Sequence, residues 1–317
     1  MIRFGFNEYG GPEVFRAIEA EIPEPKPQQV QIKVLAFGLN AYDIKVRQGK
    51  LPHADQAKMP IVPGTELAGI VTAVGAEVTD IKVGDHVMNY RPRGGYSEYV
   101  TASASKVGVI ANDVPLTIAA GFPQIGVAAY AAAKLLNLKA GKTIAVEGAS
   151  GGVGSIVVQI AKYYGLQVIA LGNSRNHDLM MRLGADFVGH YDHENVGAKF
   201  ADQADYVLNA TTSGKDDDAG LWMLKPGGTY VSLNDLPEAQ ASDPNFHVVG
   251  EAGKPDVAAA FAFLNEMRSK ADLWLNVADV FPMTLAGVRE AQVELGTHHA
   301  AGKIICSREE NQRVRKD

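Results

Sequence analysis

The chain has 317 residues, a formal net charge of −6, 46% hydrophobic and 21% charged residues, and a single cysteine. That length exceeds what one hydrophobic core fills, and the balance of charge to apolar residues is that of a soluble globular protein. The acidic excess argues against an electrostatic nucleic-acid binder, and Cys306 alone allows neither an intrachain disulfide nor a thiolate metal cage. The longest apolar stretches are broken by Gly, Lys or Pro before membrane-spanning length. Met1-Ile2-Arg3-Phe4-Gly5 carries no secretory signal pattern, so a cytoplasmic protein without a membrane partner is expected.

The first hundred residues read as β-rich. Pro23, Pro25 and Pro27 make an extended connector, and Val30-Gln31-Ile32-Lys33-Val34-Leu35 alternates with period two. Gly69 to Gly75 and Asp85 to Met88 are short runs bounded by glycine or turn residues. From Leu116 the texture changes to strong helix formers, Ala119-Ala120, Ala128-Ala129 and Ala131-Ala132-Ala133. Thr143-Ile144-Ala145-Val146 then enters the turn Gly148-Ala149-Ser150-Gly151-Gly152-Val153-Gly154, a helical pattern follows, and Gln167 to Leu171 is a second apolar run. Strand, glycine turn, helix and parallel strand in that order are the physical form of a dinucleotide phosphate site, although a phosphate-free βαβ turn has the same outline. Ser150, Gly151, Gly152, Val153 and Gly154 are the residues that would face the pyrophosphate, with the first-turn amides and the helix dipole directed at it. Further strands at Phe187–Val188, Asp205–Leu208 and Gly228–Leu233 alternate with helices, as in a doubly wound parallel sheet, and Lys225-Pro226-Gly227-Gly228 punctuates the last passage from helix to strand. Pro255 to Lys270 reads as a helix, Phe281-Pro282-Met283 opens a segment leading to a helix at Leu285–Leu295, and Lys303 to Cys306 is a final strand. The tail from Arg308 is charged and expected to fray. The order suggests a nucleotide domain, 116–272, inserted between a β-rich domain, 1–115, and a segment, 273–317, that completes the latter.

The end of the second strand discriminates between cofactors. NADH sites place a carboxylate there, roughly 20 residues past the glycines, to hold the ribose 2′-hydroxyl. This chain reads Gly172-Asn173-Ser174-Arg175-Asn176, with no carboxylate before Asp178. Arg175 offers a guanidinium suited to a 2′-phosphate and Asn173 and Ser174 offer short donors, so NADPH is expected. Ser174 or Asn176 would equally serve as a helix N-cap, and a capped helix start is itself an anion site.

Pro63-Gly64-Thr65-Glu66-Leu67-Ala68-Gly69, Val83-Gly84-Asp85-His86-Val87, Gly94-Gly95-Tyr96-Ser97-Glu98-Tyr99, the glycine turn and the closing Gly302-Lys303-Ile304-Ile305, in this order, resemble the medium-chain dehydrogenase/reductase superfamily. Within it the chain is most similar to the zinc-free quinone oxidoreductase, zeta-crystallin-like, branch. The resemblance implies an α/β protein with a GroES-like β-barrel catalytic domain and a Rossmann doubly wound parallel-sheet domain. Zinc relatives hold the metal with a Cys at the position of Asn40, a His at that of Thr65 and a second Cys near Gln124, and none of these three residues is a strong zinc ligand. The clusters His190-Tyr191-Asp192-His193 and His298-His299 read as surface or loop histidines, so no metal is expected.

Without a Lewis acid, a quinone or another conjugated carbonyl is the easier hydride acceptor, because hydrogen-bond donors can hold the oxyanion that develops. The expected function is zinc-independent hydride transfer from NADPH to a quinone. The alternatives are reduction of enones, alkenals or enoyl thioesters, or NADPH binding with little turnover. The resemblance assigns Asn40 to the active-site floor, with Tyr42, Asp43 and Gln124 as the other catalytic candidates. Tyr42 could instead be a core aromatic, and Asp43 could pair with Arg47 one helical turn on. Lys45 stands where many relatives have Tyr, and Ala128 where many have Thr. On the cofactor side the resemblance carries over Tyr191 as an adenosine contact. Thr211 and Thr212 would lie at the carboxyl edge of the sheet, unless they only form a turn, and Leu233 and Asn234 would line the nicotinamide half. A homodimer through an edge strand near Phe246-His247-Val248-Val249 is also expected.

Overall fold

The computed structural model describes residues 1–211, 218–236, 240, 242–297 and 300–308. Thr212, His298-His299 and the tail beyond Arg308, all named above, lie outside the described residues. The chain forms two compact units, Met1–Gln124 with Leu275–Asp317, and Ile125–Trp274. The first division falls nine residues later than the change of texture at 115/116, because 124 − 115 = 9 residues stay with the first unit. Packing explains this: Gly121 lies so close to the Leu275 and Ile305 side chains that a β-carbon there would come within 2.6 Å of Leu275.

The first unit begins with strands β1 (Ile2–Gly5) and β2 (Arg16–Glu19), an antiparallel pair. Strand β3 (Gln29–Leu39) is longer than its alternation predicts. Burial alternates up to Leu35 and is unbroken from Ala36 to Leu39, so the period-two signal stops where both faces become covered. Phe37 stacks on Tyr96 with centroids 4.4 Å apart, while Gly38 lies against Glu66 and the Ala120 carbonyl. Helix α1 (Ala41–Arg47) follows directly, then β4 (Glu66–Val74), β5 (His86–Tyr90), β6 (Tyr99–Ser103), β7 (Val107–Val109) and the short helix α2 (Leu116–Ala119).

The second unit takes in most of α3 (Phe122–Leu136), then β8 (Thr143–Glu147), α4 (Gly152–Tyr163), β9 (Gln167–Gly172), α5 (His177–Arg182), β10 (Phe187–His190), α6 (Val196–Lys199), β11 (Ala204–Asn209), α7 (Ala219–Met223), β12 (Leu224–Ser232), β13 (Phe246–Val248) and α8 (Val257–Ala271). Its six strands are parallel in the order β10-β9-β8-β11-β12-β13. That is the doubly wound order, with the chain reversing direction between β8 and β11, where ligands of such sheets collect. Alpha helix α4 buries Ile156, Val157, Ile160 and Ala161 and starts so close to the preceding turn that a β-carbon on Gly154 would lie 2.3 Å from the Gly148 carbonyl oxygen. The Lys225–Gly228 run does not precede its strand as expected. It loops out of β12, whose pairing with β11 jumps from Ala204–Leu224 to Tyr206–Thr229.

The chain then returns to the first unit through β14 (Val277–Pro282), α9 (Leu285–Gly296) and β15 (Lys303–Ser307). Strand β14 was not anticipated; its residues are only half buried, so they carry no apolar run. The seven-stranded sheet runs β14-β15-β3-β4-β5-β7, with β6 also on β3. Strand β15 pairs with the far half of β3, Ile304 opposite Leu39 and Ile305 opposite Gly38. A core of Phe4, Phe6, Phe15, Phe37, Tyr96, Val288 and Ile304 fills this unit, and Ala145, Ile169, Val207 and Tyr230 belong to the core of the other.

Candidate active site

In the first unit, the ends of β3, β4 and β15 bring polar side chains together inside apolar surroundings. Lys303, 4% exposed, directs its ammonium at three oxygens: Glu66 Oε1 at 2.5 Å, Asn40 Oδ1 at 2.7 Å and the Leu39 carbonyl at 2.8 Å. Asn40 donates both amide protons, to Glu66 Oε1 at 2.9 Å and to Thr65 Oγ1 at 3.0 Å. Glu66, fully buried, accepts the Gln124 backbone N–H on its other oxygen at 2.8 Å. A buried carboxylate and ammonium are tolerated only when paired and hydrogen-bonded, and here every acceptor on Asn40 and Glu66 is in use. The Thr65 hydroxyl accepts from Asn40, and its own proton has no acceptor among the described residues.

Beneath this cluster, Asp43 is fully buried on α1. Its Oδ2 accepts the Asn40 N–H at 2.9 Å and the Tyr96 hydroxyl at 3.1 Å, and Tyr96 in turn accepts from Gln292 Nε2 at 3.1 Å. Burial pushes the Asp43 carboxyl up to about 7, against the opposing pull of the Asn40 and Tyr96 hydrogen bonds and the Lys303 charge. Burial also raises the Tyr96 hydroxyl well above the ordinary phenol value. The expected pair between Asp43 and Arg47 does not form: Asp43 serves Asn40 and Tyr96 instead, and the buried Arg47 leaves Nε and Nη1 without partners.

In the second unit, Gly151 is the N-cap of α4 and supplies no side-chain acceptor. Among the described residues the Gly152, Val153 and Gly154 amides have no hydrogen-bond partner, while Gly151 N and Ser155 N are committed to Gly148 O and Gly151 O. A glycine cap with open first-turn amides fits a pyrophosphate. Ser150 Oγ accepts from Asn176 at 3.0 Å, which ties the glycine turn to the end of β9. At the carboxyl edge, Asn209 Oδ1 accepts both the N–H and the hydroxyl of Thr211, and Asn234 Nδ2 donates to the Thr211 carbonyl at 2.7 Å. Leu233 N donates to the Asn209 carbonyl, so Thr211, Leu233 and Asn234 share one edge.

The end of β9 departs from the expectation drawn from its own segment. Asn173 caps a short 3-10 turn, Ser174–Asn176, with its Oδ1 accepting Arg175 N at 3.1 Å. Asp192, arriving from the end of β10, accepts Ser174 N at 2.9 Å and Ser174 Oγ at 2.7 Å. A carboxylate therefore does reach this position, from eighteen residues further along the chain. Arg175 is exposed and forms no ion pair among the described residues, and Tyr191 is 61% exposed.

Of the catalytic candidates, the structure brings Asn40, Asp43 and, through its backbone, Gln124 to one cluster. Tyr42 is 44% exposed on α1, which rules out the core-aromatic reading, and Lys45 is exposed too. Sequence reasoning missed Glu66, Lys303, Tyr96 and Gln292. The available signals were a glutamate beside Thr65 and a lysine opening an otherwise apolar strand.

The alcohol dehydrogenase GroES-like domain matches residues 26–115 and the zinc-binding dehydrogenase domain matches residues 152–250. Over 313 residues the chain is 32% identical to the chloroplastic NADPH-dependent alkenal/one oxidoreductase of Arabidopsis thaliana, which spans 95% of this chain and 78% of that protein. The quinone oxidoreductase from Coxiella burnetii superposes with a TM-score of 0.86 at 25% identity, over 98% of this chain and 99% of that one. A mycobacterial protein solved with NADPH gives a TM-score of 0.83 at 26% identity, over 97% of this chain and 100% of that one.

One of these descriptions implies zinc, and the side chains at Asn40, Thr65 and Gln124 do not fit it. An amide committed on all its side-chain polar atoms, a hydroxyl and a second amide replace the soft or imidazole donors zinc takes, and the Lys303 ammonium already occupies the Asn40 carbonyl oxygen. Among the described residues no group of three or more His, Cys, Asp or Glu could hold a metal.

The raised Asp43 carboxyl makes stability depend on pH. Between its unfolded value near 4 and its folded value of about 7, the folded chain keeps a proton that the unfolded chain releases. The contribution of this group is therefore fully present below about pH 4 and is lost as pH rises through about 7. Asp43→Asn keeps a carbonyl oxygen for Asn40 and Tyr96 but has no proton to release. From about pH 4 to pH 8 the wild type is expected to lose on the order of 4 kcal/mol more than this variant, at about 1.4 kcal/mol per tenfold in proton affinity. Urea unfolding across that range measures it, and parallel pH curves for the two proteins would refute it.

Proposed function

The chain belongs to the medium-chain dehydrogenase/reductase superfamily, in its quinone oxidoreductase branch, as an oxidoreductase that binds a nicotinamide cofactor, and on that premise we propose that it reduces quinones with NADPH without zinc. The observation that carries this reading is the hydroxyl of Thr65, a donor with an uncommitted proton among the described residues, held by Asn40 in a cluster built on the Lys303–Glu66 ion pair.

NADPH supplies a hydride when bound. The amides of Gly152, Val153 and Gly154 would hold its pyrophosphate, Ser150 keeps the turn tied to Asn176, and Arg175 would be the cation for its 2′-phosphate. Thr211, Leu233 and Asn234 share one edge of the sheet and would line the nicotinamide half. Reduction of a conjugated carbonyl places negative charge on its oxygen, and the Thr65 hydroxyl donates to that oxygen. Asn40 cannot do so, because both its amide protons are already given to Thr65 and Glu66; it is a positioning residue. Asp43 fixes the Asn40 backbone, and Gln124 is held through its N–H on Glu66. Tyr42, exposed in the first turn of α1, is available as a second donor. Alkenals and enones are the second acceptor class, favoured by the similarity to the Arabidopsis alkenal/one oxidoreductase. Both classes share a conjugated system that accepts hydride without Lewis-acid help.

Steady-state oxidation of NADPH against quinones, alkenals and enoyl thioesters, with NADH as control, tests the proposal. The expected result is turnover highest with quinones and lower with NADH, and a loss of about a hundredfold in kcat for Thr65→Val, the usual scale for one oxyanion donor. No turnover across the panel would leave a cofactor-binding protein, and full activity of Thr65→Val would remove the assigned donor.

Among the described residues the six-stranded sheet ends at β13, whose outer side has no neighbour in the sheet order. We extend the proposal to pairing of this edge with a second copy, as unprotected edge strands invite. Light scattering is expected to give twice the chain mass; a monomer at all concentrations would contradict it.

A further inference from the structure

The two anion subsites of the second unit are prepared in opposite ways. At the start of α4 the first-turn amides are open. At the end of β9 every amide of the turn already has a protein acceptor: Ser174 N is held by Asp192, Arg175 N by the Asn173 side chain and Asn176 N by the Asn173 carbonyl. Asp192 takes the Ser174 hydroxyl as well, at 2.7 Å. A carboxylate receiving an N–H and an O–H from one serine is the arrangement that a phosphate on a nucleotide ribose would require of the same donors. Those two bonds hold the Asp192 carboxyl below the usual carboxylate range, so it remains an anion at neutral pH.

We propose that Asp192 is an internal competitor for the 2′-phosphate subsite and sets the preference between NADPH and NADH. The inference rests on the NADPH reading above. A 2′-phosphate must displace Asp192 from Ser174 before Ser174 N–H and O–H can bind it and Arg175 can pair with it. A free ribose 2′-hydroxyl needs no displacement, since it can donate to the carboxylate where it stands. The side chain is free to leave, being on the exposed segment after β10 with side-chain exposure of 26%. The surrounding groups favour the exchange. His193 Nε2 stands 3.4 Å from Asp192 Oδ2 and 3.1 Å from Ser174 Oγ, and gives the displaced carboxylate a partner. His177 Nδ1 and His190 Nε2 share a hydrogen bond at 3.0 Å, and Glu194 is held by Lys199 and the His190 N–H, so none of the three enters the exchange. The consequence is a protein that uses NADPH but retains measurable NADH affinity, with its selectivity limited by one residue.

Calorimetric titration of NADPH and NADH into the wild type, Asp192→Asn and Asp192→Ala tests this. Asparagine keeps the shape without the charge, and alanine frees both Ser174 donors. The expected result is NADPH binding about fivefold to tenfold tighter in both variants, the scale of one nearby like charge in a hydrated site, with NADH binding unchanged or weaker. NADPH affinity that is unchanged or lower in both variants, with the wild type still preferring NADPH, overturns the role of Asp192 alone. Preference for NADH in the wild type and both variants, together with an Arg175→Ala change that leaves NADPH affinity intact, overturns the cofactor reading and this inference with it.

Discussion

The ammonium of Lys303 is surrounded by three protein oxygens in place of water, and the geometry of the buried polar cluster follows from that requirement. Removing one partner of a buried ion pair typically costs about 3–5 kcal/mol, because the other charge is left uncompensated. Glu66 must therefore face Lys303, and Glu66 in turn fixes the Gln124 backbone and the Asn40 amide, which fixes Thr65. The sheet order makes this possible. Strand β15, from the C-terminal segment, lies on β3, and β3 lies on β4, so Lys303, Asn40 and Glu66 meet although they come from distant parts of the chain. Gly38 is part of the same constraint, since a β-carbon there would stand 2.4 Å from Glu66 Oε1.

The features legible in the sequence were those with local signals. The glycine turn announced the β8-turn-α4 site, and alternation announced the first half of β3. What stayed hidden was set by contacts remote in sequence. Lys303 in an apolar strand does not reveal a glutamate 237 positions away, which is 303 − 66. The pairing of Asp43 with Arg47 was the local reading, but the core offered Asp43 the Tyr96 hydroxyl and the Asn40 N–H. Asp192 was overlooked because the sequence rule inspects the end of the second strand itself, whereas the carboxylate arrives from the end of the third. The β12 bulge shows the same limit: Lys225-Pro226-Gly227-Gly228 reads as a boundary, yet strand pairing resumes on both sides of it.

Two kinds of anion site and one kind of donor site then divide the chemistry. The α4 turn is open and needs nothing displaced, which suits a pyrophosphate common to both nicotinamide cofactors. The β9 turn is closed by a carboxylate, which suits a site that discriminates between them. The cluster around Thr65 presents a hydroxyl held by the Asn40 amide over a neutral Lys303–Glu66 pair, a weaker electrophile than a divalent metal and matched to acceptors that need only a hydrogen bond.

The central claim is that the proposed hydride transfer needs no catalytic metal, its donor being the Thr65 hydroxyl positioned through Asn40 by the Lys303–Glu66 pair. Metal content measured on the same preparation as NADPH-dependent quinone reduction, before and after exhaustive chelation, tests it most directly. The account predicts far less than one zinc per chain and activity unchanged by the chelator. One zinc per chain, with activity lost on its removal and restored by zinc alone, would contradict it.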